Sequence, residues 1–371
     1  MILPEDFCQF VRSHGISFFA GVPDSLLKNL CAYIDEHFDS RQHVITANEG
    51  NAIAMAMGHF LATGSPAVAY MQNSGLGNAI NPLVSMTCEE VCGIPMLLII
   101  GWRGEPGISD EPQHFKQGQI TPEMLELLGI PYITLEAQSD VSAACSEIIS
   151  TMLKDSKPVA ILVRKNTFAA TAKSPQPEGQ MMSRETALNI INDHLTKDAL
   201  VIATTGKTAR ELYEIQVKAT GECSAFLTVG AMGHASSIAA SAAIARPEKT
   251  VVCLDGDGAM IMHMGALPII GSLRPNNLIH ILLNNNAHES VGGQPTCAGS
   301  INIESLALAN GYAQYISIES EAELVSCLKR WDFESGPCLM EIKIKIGARK
   351  DLGRPEPSPY ENTRTFLKHA K

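Results

Sequence analysis

The chain of 371 residues is 45% hydrophobic and 5% aromatic, with 29 glycines, which is enough apolar material for two or three packed domains and too much for a disordered scaffold. Its formal net charge of −11 excludes nucleic acid as an expected partner, since that binding rests on neutralising phosphates. The most apolar run, 94–100, is far shorter than the ~20 residues of a bilayer crossing, and the acidic first residues lack a secretory leader's charge pattern. No membrane association is expected. The ten cysteines form no CxxC pair and no disulfide framework, so they read as small apolar residues of a cytoplasmic protein.

In chain order, short apolar runs, often closed by Gly or Asn, alternate with helix-like segments. Strands are predicted over 17–20, 67–71, 96–100 and 159–163, and then over 200–203, 251–254, 278–283 and 339–344. Continuous β-branched and leucine runs suit parallel strands buried on both faces, and their alternation with helices predicts two doubly wound α/β domains. Residues 1–170 form the first domain and 184–350 the second. Between them, 171–183 is rich in Pro and polar residues and reads as a linker, while the Pro- and charge-rich tail 351–371 is expected to wrap or dock. Ligands of such sheets sit beyond the carboxyl ends of the strands.

Two stretches carry chemistry. The run at 250–254 ends in Asp255-Gly256-Asp257-Gly258-Ala259, and the next strand ends in Asn284-Asn285-Asn286. Glycines directly after a strand let the backbone approach a diphosphate, whose charge also favours the start of the following helix. Asp257 offers a hard carboxylate oxygen, and an Asn at the next strand's end lies on the same sheet edge. Such oxygens, completed by phosphates and water, suit Mg²⁺. In the first half, Glu49 sits in 45–52 just before the helix-like 53–58. Apolar neighbours there would desolvate its carboxyl and let it share a proton. The plainer reading is an acid that complements a helix dipole.

Gly256-Asp257-Gly258 followed by Asn284-Asn285 resembles the signature of the thiamine diphosphate enzymes. By that resemblance, Asp257, Asn285 (or its neighbour Asn284) and the carbonyl of Ala287 hold Mg²⁺, and Asn286 stands where many relatives carry Gly. Glu49 would hydrogen-bond the cofactor's aminopyrimidine. Gly206, Gly230, Gly256, Gly258 and Ala259 would line the cofactor, and Met232, in 229–233, would wedge between its rings. The two domains become a pyrimidine-binding and a diphosphate-binding domain with no middle domain. The family pairs the pyrimidine domain of one subunit with the diphosphate domain of another, which implies a homodimer or higher homo-oligomer.

A narrower resemblance, to the phosphonopyruvate and sulfopyruvate decarboxylases, spans nearly the whole chain. It is carried by 19–28, 101–107, 110–114, 205–212 and 285–296. It implies decarboxylation of a small anionic 2-oxo acid, 3-phosphonopyruvate before sulfopyruvate, to an aldehyde used in phosphonate biosynthesis. Such a substrate needs local cations, for which Arg103, Lys207 and Arg210 are candidates, with Gln113 beside them. His114 and His288 are the expected proton handlers, because imidazole titrates near neutrality, and Asp24 and Ser25 would orient the substrate. The competing readings are a carboligase and a nucleotide-binding Rossmann-like protein; the latter has no use for a buried Glu49.

Overall fold

The computed structural model describes residues 1–170, 181–330 and 336–371. The chain forms two compact units, Met1–Ser174 and Pro175–Lys371. Of the expected linker, 171–180 lie outside the described residues, whereas Ser183 already caps the second unit's first helix, Arg184–His194, by accepting a hydrogen bond from the Thr186 N–H.

The first unit is a six-stranded parallel sheet with β1 (Phe18–Gly21), β2 (His43–Ile45), β3 (Ala67–Gln72), β4 (Met96–Gly101), β5 (Tyr132–Leu135) and β6 (Pro158–Val163) in the order β2-β1-β3-β4-β6-β5. Its central strands are apolar on both faces. Along β3, Val68 and Tyr70 enter one core while Ala67, Ala69 and Met71 enter the other; along β4, Leu97 and Ile99 oppose Met96, Leu98 and Ile100 in the same way.

The second unit repeats the plan with β7 (Leu200–Ala203), β8 (Phe226–Leu227), β9 (Val251–Gly256), β10 (Leu278–Asn284), a small antiparallel ribbon of β11 (Ala287–His288) and β12 (Gln294–Pro295), then β13 (Gln314–Ile318) and β14 (Cys338–Lys343). The parallel sheet runs β13-β14-β10-β9-β7-β8. Each unit is thus doubly wound, as expected.

All eight predicted strands form, within a residue or two at their ends. The four sheet strands that were not predicted, β2, β5, β8 and β13, are the four sheet edges. An edge strand is buried on fewer sides, so its sequence lacks a continuous apolar run: β13 reads Gln-Tyr-Ile-Ser-Ile and buries fully only Ile318. The tail docks as expected. Its helix Pro359–Ala370 opens with a capping box at Ser358, and Asn362 bridges the edge strand β8 by accepting from the Leu227 N–H (3.0 Å) and donating to the Ala225 carbonyl (2.8 Å). No described helix is long and apolar enough to cross a membrane.

Candidate active site

In a doubly wound sheet the chain leaves in opposite directions from two neighbouring strands, and a crevice opens beyond their carboxyl ends. In the first unit those strands are β1 and β3; in the second they are β7 and β9. The sequence-selected residues collect at both places.

In the first unit Asp24 follows β1 and is fully buried. One carboxylate oxygen accepts from the N–H groups of Leu26 (2.9 Å) and Leu27 (3.3 Å); the other, Oδ1, has no hydrogen-bond partner among the described residues. Burial raises the Asp24 carboxyl to about 6, against those N–H groups and the nearby Arg103 guanidinium. Arg103 follows β4. Its guanidinium donates to Ser25 Oγ (2.7 Å) and grips Asp110 through two nitrogens, Nε at 2.7 Å and Nη2. His114 lies in the first turn of the helix Pro112–Leu127, buried, with an unpartnered Nδ1. Half-buried Gln113 precedes it. Asp24, Ser25, Arg103 and His114 therefore form one cluster, and two of its buried polar atoms lack a protein partner.

Glu49 begins the helix Glu49–Thr63 after β2, capped by Asn48, and is 5% exposed. Asn78 Nδ2 donates to its Oε2 at 2.7 Å. Its other side lies against Gly75: a Cβ at that position would stand 2.3 Å from Oε1 and 2.5 Å from both Cδ and Cγ. Only glycine leaves room for this carboxylate.

In the second unit Asp257 begins a short helix after β9 and is 3% exposed. Thr296, from beyond β12, donates its hydroxyl to Asp257 Oδ2. Burial raises the Asp257 carboxyl to about 6, opposed by Thr296 and by the N–H groups of Asp257, Asn285 and Gly258. Asn285 Oδ1 accepts from the Ala287 N–H (3.1 Å), and its Nδ2 donates to Glu289 Oε2 (2.9 Å). Asn284 is turned elsewhere: its Nδ2 donates to buried Glu341 (2.6 Å) and its Oδ1 accepts from the Asn286 N–H (3.0 Å). Asn286 adopts φ 55°, a left-handed angle that Asn tolerates better than most residues other than Gly. His288 packs on Gly258, where a Cβ would meet its ring at 3.1 Å. Gly206, at φ 96°, ends the β7 loop, and the Gly230 N–H donates to Thr205 Oγ1 (3.1 Å). Met232 is half-buried in the turn between Ala231 and Gly233, and Ala259 is buried.

Two family models match the chain: the thiamine pyrophosphate enzyme N-terminal TPP binding domain over residues 2–125 and the C-terminal TPP binding domain over residues 204–342. The chain is 33% identical to the phosphonopyruvate decarboxylase of Streptomyces viridochromogenes, across 99% of this chain and 94% of that one. It is 32% identical to the phosphonopyruvate decarboxylase of Streptomyces hygroscopicus, across 100% and 94%, and 27% identical to the sulfopyruvate decarboxylase of Methanosarcina acetivorans, across 98% and 96%. The chain belongs to the thiamine pyrophosphate enzyme family. Thiamine pyrophosphate is the diphosphate cofactor that the glycine and asparagine motifs pointed to.

For a thiamine pyrophosphate enzyme the two sites make chemical sense. Asp257, Asn285 and the Ala287 backbone offer carboxylate, amide and carbonyl oxygens on neighbouring loops, the donor set Mg²⁺ takes. A Cβ at Gly256 would meet nothing within 4 Å, so the backbone there is open to a ligand.

Several expectations change. His114 and His288 do not titrate near neutrality: burial lowers both to about 4, so both imidazoles are neutral at pH 7, and Asp24 is the group brought nearer to it. Lys207, expected to face an anionic substrate, places its ammonium on Glu289 Oε1 (2.7 Å). Arg103 is already paired with Asp110, and Arg210 is half-buried one turn into the helix Lys207–Thr220. Asp110, Glu289 and Thr296 lie within the quoted motifs but had no role there; Glu289 and Thr296 find Arg184, Lys207 and Asp257 far away in the chain, and Asp110 finds Arg103 only seven residues back. Asp255, quoted in the same motif as Asp257, was given no role either. That fully buried side chain accepts from the Gly256 N–H (2.9 Å) and pairs with His280 (3.2 Å), whose other ring nitrogen meets the Tyr312 hydroxyl (2.9 Å), bracing the Gly256-Asp257 turn from beneath. Cys253, Asp255 and His280 form a compact buried trio, but the His280 nitrogens are already spent on Asp255 and Tyr312.

Proposed function

We propose that this protein decarboxylates 3-phosphonopyruvate to phosphonoacetaldehyde and CO₂, using thiamine diphosphate and Mg²⁺. The observation that carries the substrate choice is the 33% identity, over nearly both full lengths, to a phosphonopyruvate decarboxylase. The geometry supports the chemistry. Asp257 and Asn285 Oδ1, with the Ala287 carbonyl, would hold Mg²⁺ on the diphosphate. Gly206, Gly230, Gly256, Gly258 and Ala259 would give the cofactor close backbone approach, and Met232 would support its rings. Glu49, supplied by a second copy of the chain in a homodimer or larger assembly, would hold a proton at the aminopyrimidine, its carboxylate kept in place by Asn78 and Gly75.

Bound there, thiamine diphosphate supplies the electron sink that a 2-oxo acid needs to lose CO₂. The chain's own groups do the rest. Arg103 and Ser25, already fixed to one another, bind and orient the anionic substrate, with Gln113 and Arg210 as further contacts. Asp24 exchanges protons through its unpartnered Oδ1 with a carboxyl near 6, which suits a group that must gain and lose a proton. His114 and His288, both neutral, act as hydrogen-bond partners of the reacting groups rather than as standing cations.

The full-length relation to a sulfopyruvate decarboxylase supports a second reading in which a sulfonate replaces the phosphonate. A panel of pyruvate, phosphonopyruvate and sulfopyruvate, followed by CO₂ and aldehyde release with thiamine diphosphate present and absent, separates them. Fastest turnover of phosphonopyruvate, only with the cofactor, is expected. Preference for sulfopyruvate would replace the substrate, and equal release without cofactor would remove the proposal.

A further inference from the structure

The loop that carries the metal-ligand candidates is held by a buried charge network with no part in the chemistry described so far. Glu289 sits four residues after Asn285 with its side chain only 7% exposed. Its Oε1 accepts from Lys207 Nζ at 2.7 Å. Its Oε2 accepts from Arg184 Nη1 at 2.8 Å and from Asn285 Nδ2 at 2.9 Å. Arg184 spends its other nitrogens on Glu211, Nε and Nη2 each at 2.9 Å. Two cations and two carboxylates thus balance, anchored in the helices Arg184–His194 and Lys207–Thr220.

We propose that Glu289 is a positioning residue for the metal site, fixing which end of the Asn285 amide faces the cation; this rests on the reading of Asn285 as a metal ligand. The two ends of an amide match in shape and oppose each other in chemistry: the oxygen accepts or ligates, and the nitrogen only donates. An ionised carboxylate has nothing to donate, so the atom against Glu289 Oε2 is Nδ2. Oδ1 is then directed to the opposite side, towards the Ala287 N–H. Without Glu289 only the Ala287 N–H holds the amide, and an amide that turns over presents N–H groups to a cation, which repel it. Lys207 and Arg184 keep the selector charged and in place. The same device works next door with the other outcome, since Glu341 takes Asn284 Nδ2 and holds that side chain inside the sheet. Two carboxylates therefore sort two adjacent asparagines, one into the core and one to the site. Partners of this kind behind a ligand set metal affinity as well as the ligand does, typically by about 10- to 100-fold.

The test is a titration with Mn²⁺ in place of Mg²⁺, in the presence of thiamine diphosphate, reading free Mn²⁺ by its electron spin resonance signal. Wild type, Asn285→Ala and Glu289→Gln are compared. Gln has the shape of Glu but is uncharged and can also donate, so it no longer requires Nδ2 to face it. The expected result is a roughly 10- to 100-fold weaker Mn²⁺ affinity in Glu289→Gln, with kcat recovering at high Mg²⁺ and KM for the oxo acid unchanged, a pattern that loss of packing alone does not give. If Glu289→Gln fails to fold, Glu289→Asp serves: it keeps the charge but is one methylene too short to reach the amide, and the same loss is expected. Wild-type Mn²⁺ affinity in the folded Glu289 variant, with affinity lost in Asn285→Ala, overturns the inference alone. Wild-type affinity in Asn285→Ala overturns the ligand assignment beneath it.

Discussion

Gly75 offers a way to move the Glu49 carboxylate without touching Glu49. The residue has φ −75° and ψ −13°, which alanine adopts without strain, so Gly75→Ala adds only a methyl group. That methyl would lie 2.3 Å from Oε1 and 2.5 Å from Cδ and Cγ, where ordinary contact begins at 3.4 Å. The difference, 3.4 − 2.3, requires a retreat of 1.1 Å by a side chain that is 5% exposed and has little space to retreat into. Misplacing a reacting group by about 1 Å costs on the order of 100-fold in rate, or about 2.7 kcal/mol of barrier. The stability change is smaller, because overpacking of about 1–3 kcal/mol is partly offset by about 0.5–1 kcal/mol from replacing glycine. Two residues on, Gly77 has nothing within 4 Å of its would-be Cβ, and Gly77→Ala is the matched control. Steady-state kcat at saturating cofactor, with thermal melts, reads both. Activity falling in Gly75→Ala and persisting in Gly77→Ala is expected; full activity in Gly75→Ala would show that Glu49 need not stand where it does.

Three further outcomes follow from the geometry. Burial raises Asp257 to about 6, so below that pH a proton competes for the ligand oxygen, and apparent Mg²⁺ affinity should fall about tenfold per further pH unit. Titrations at pH 7 and pH 5 that agree would remove Asp257 from the metal. Replacing Glu211 by Gln leaves the buried Arg184 with one carboxylate instead of two and should cost about 3 kcal/mol in urea denaturation, against a negligible effect if the pair is solvated. Replacing Asn362 by Ala strips partners from the Leu227 N–H and the Ala225 carbonyl and should cost about 1–3 kcal/mol, with faster hydrogen exchange at Leu227 as its local signature.

What was legible in the sequence divides along physical lines. A strand buried on both faces must be apolar at nearly every position, so β4 and β6 announce themselves, whereas an edge strand such as β13 needs only part of its surface covered. Asp257 and Asn285 were legible because adjacent strand ends impose their spacing. Glu49 was legible as a lone acid at a strand-to-helix turn, but Gly75 and Asn78, which hold it, come from beyond the next strand and leave no local mark. The pairing of Lys207 was hidden for the same reason: nothing near it in the chain says that Glu289 will neutralise it. The histidines failed because protonation depends on burial, a property of the folded chain rather than of residue type.

The central claim is that Glu49 of one copy and Asp257 of another serve the two ends of a single cofactor. Glu49→Gln and Asp257→Ala should each be inactive alone. Unfolded together in equal amounts and refolded, they should regain about a quarter of the wild-type activity per site, because half of the random dimers are mixed and each mixed dimer rebuilds one intact site of two. No regain in mixtures shown to contain mixed dimers would contradict the claim.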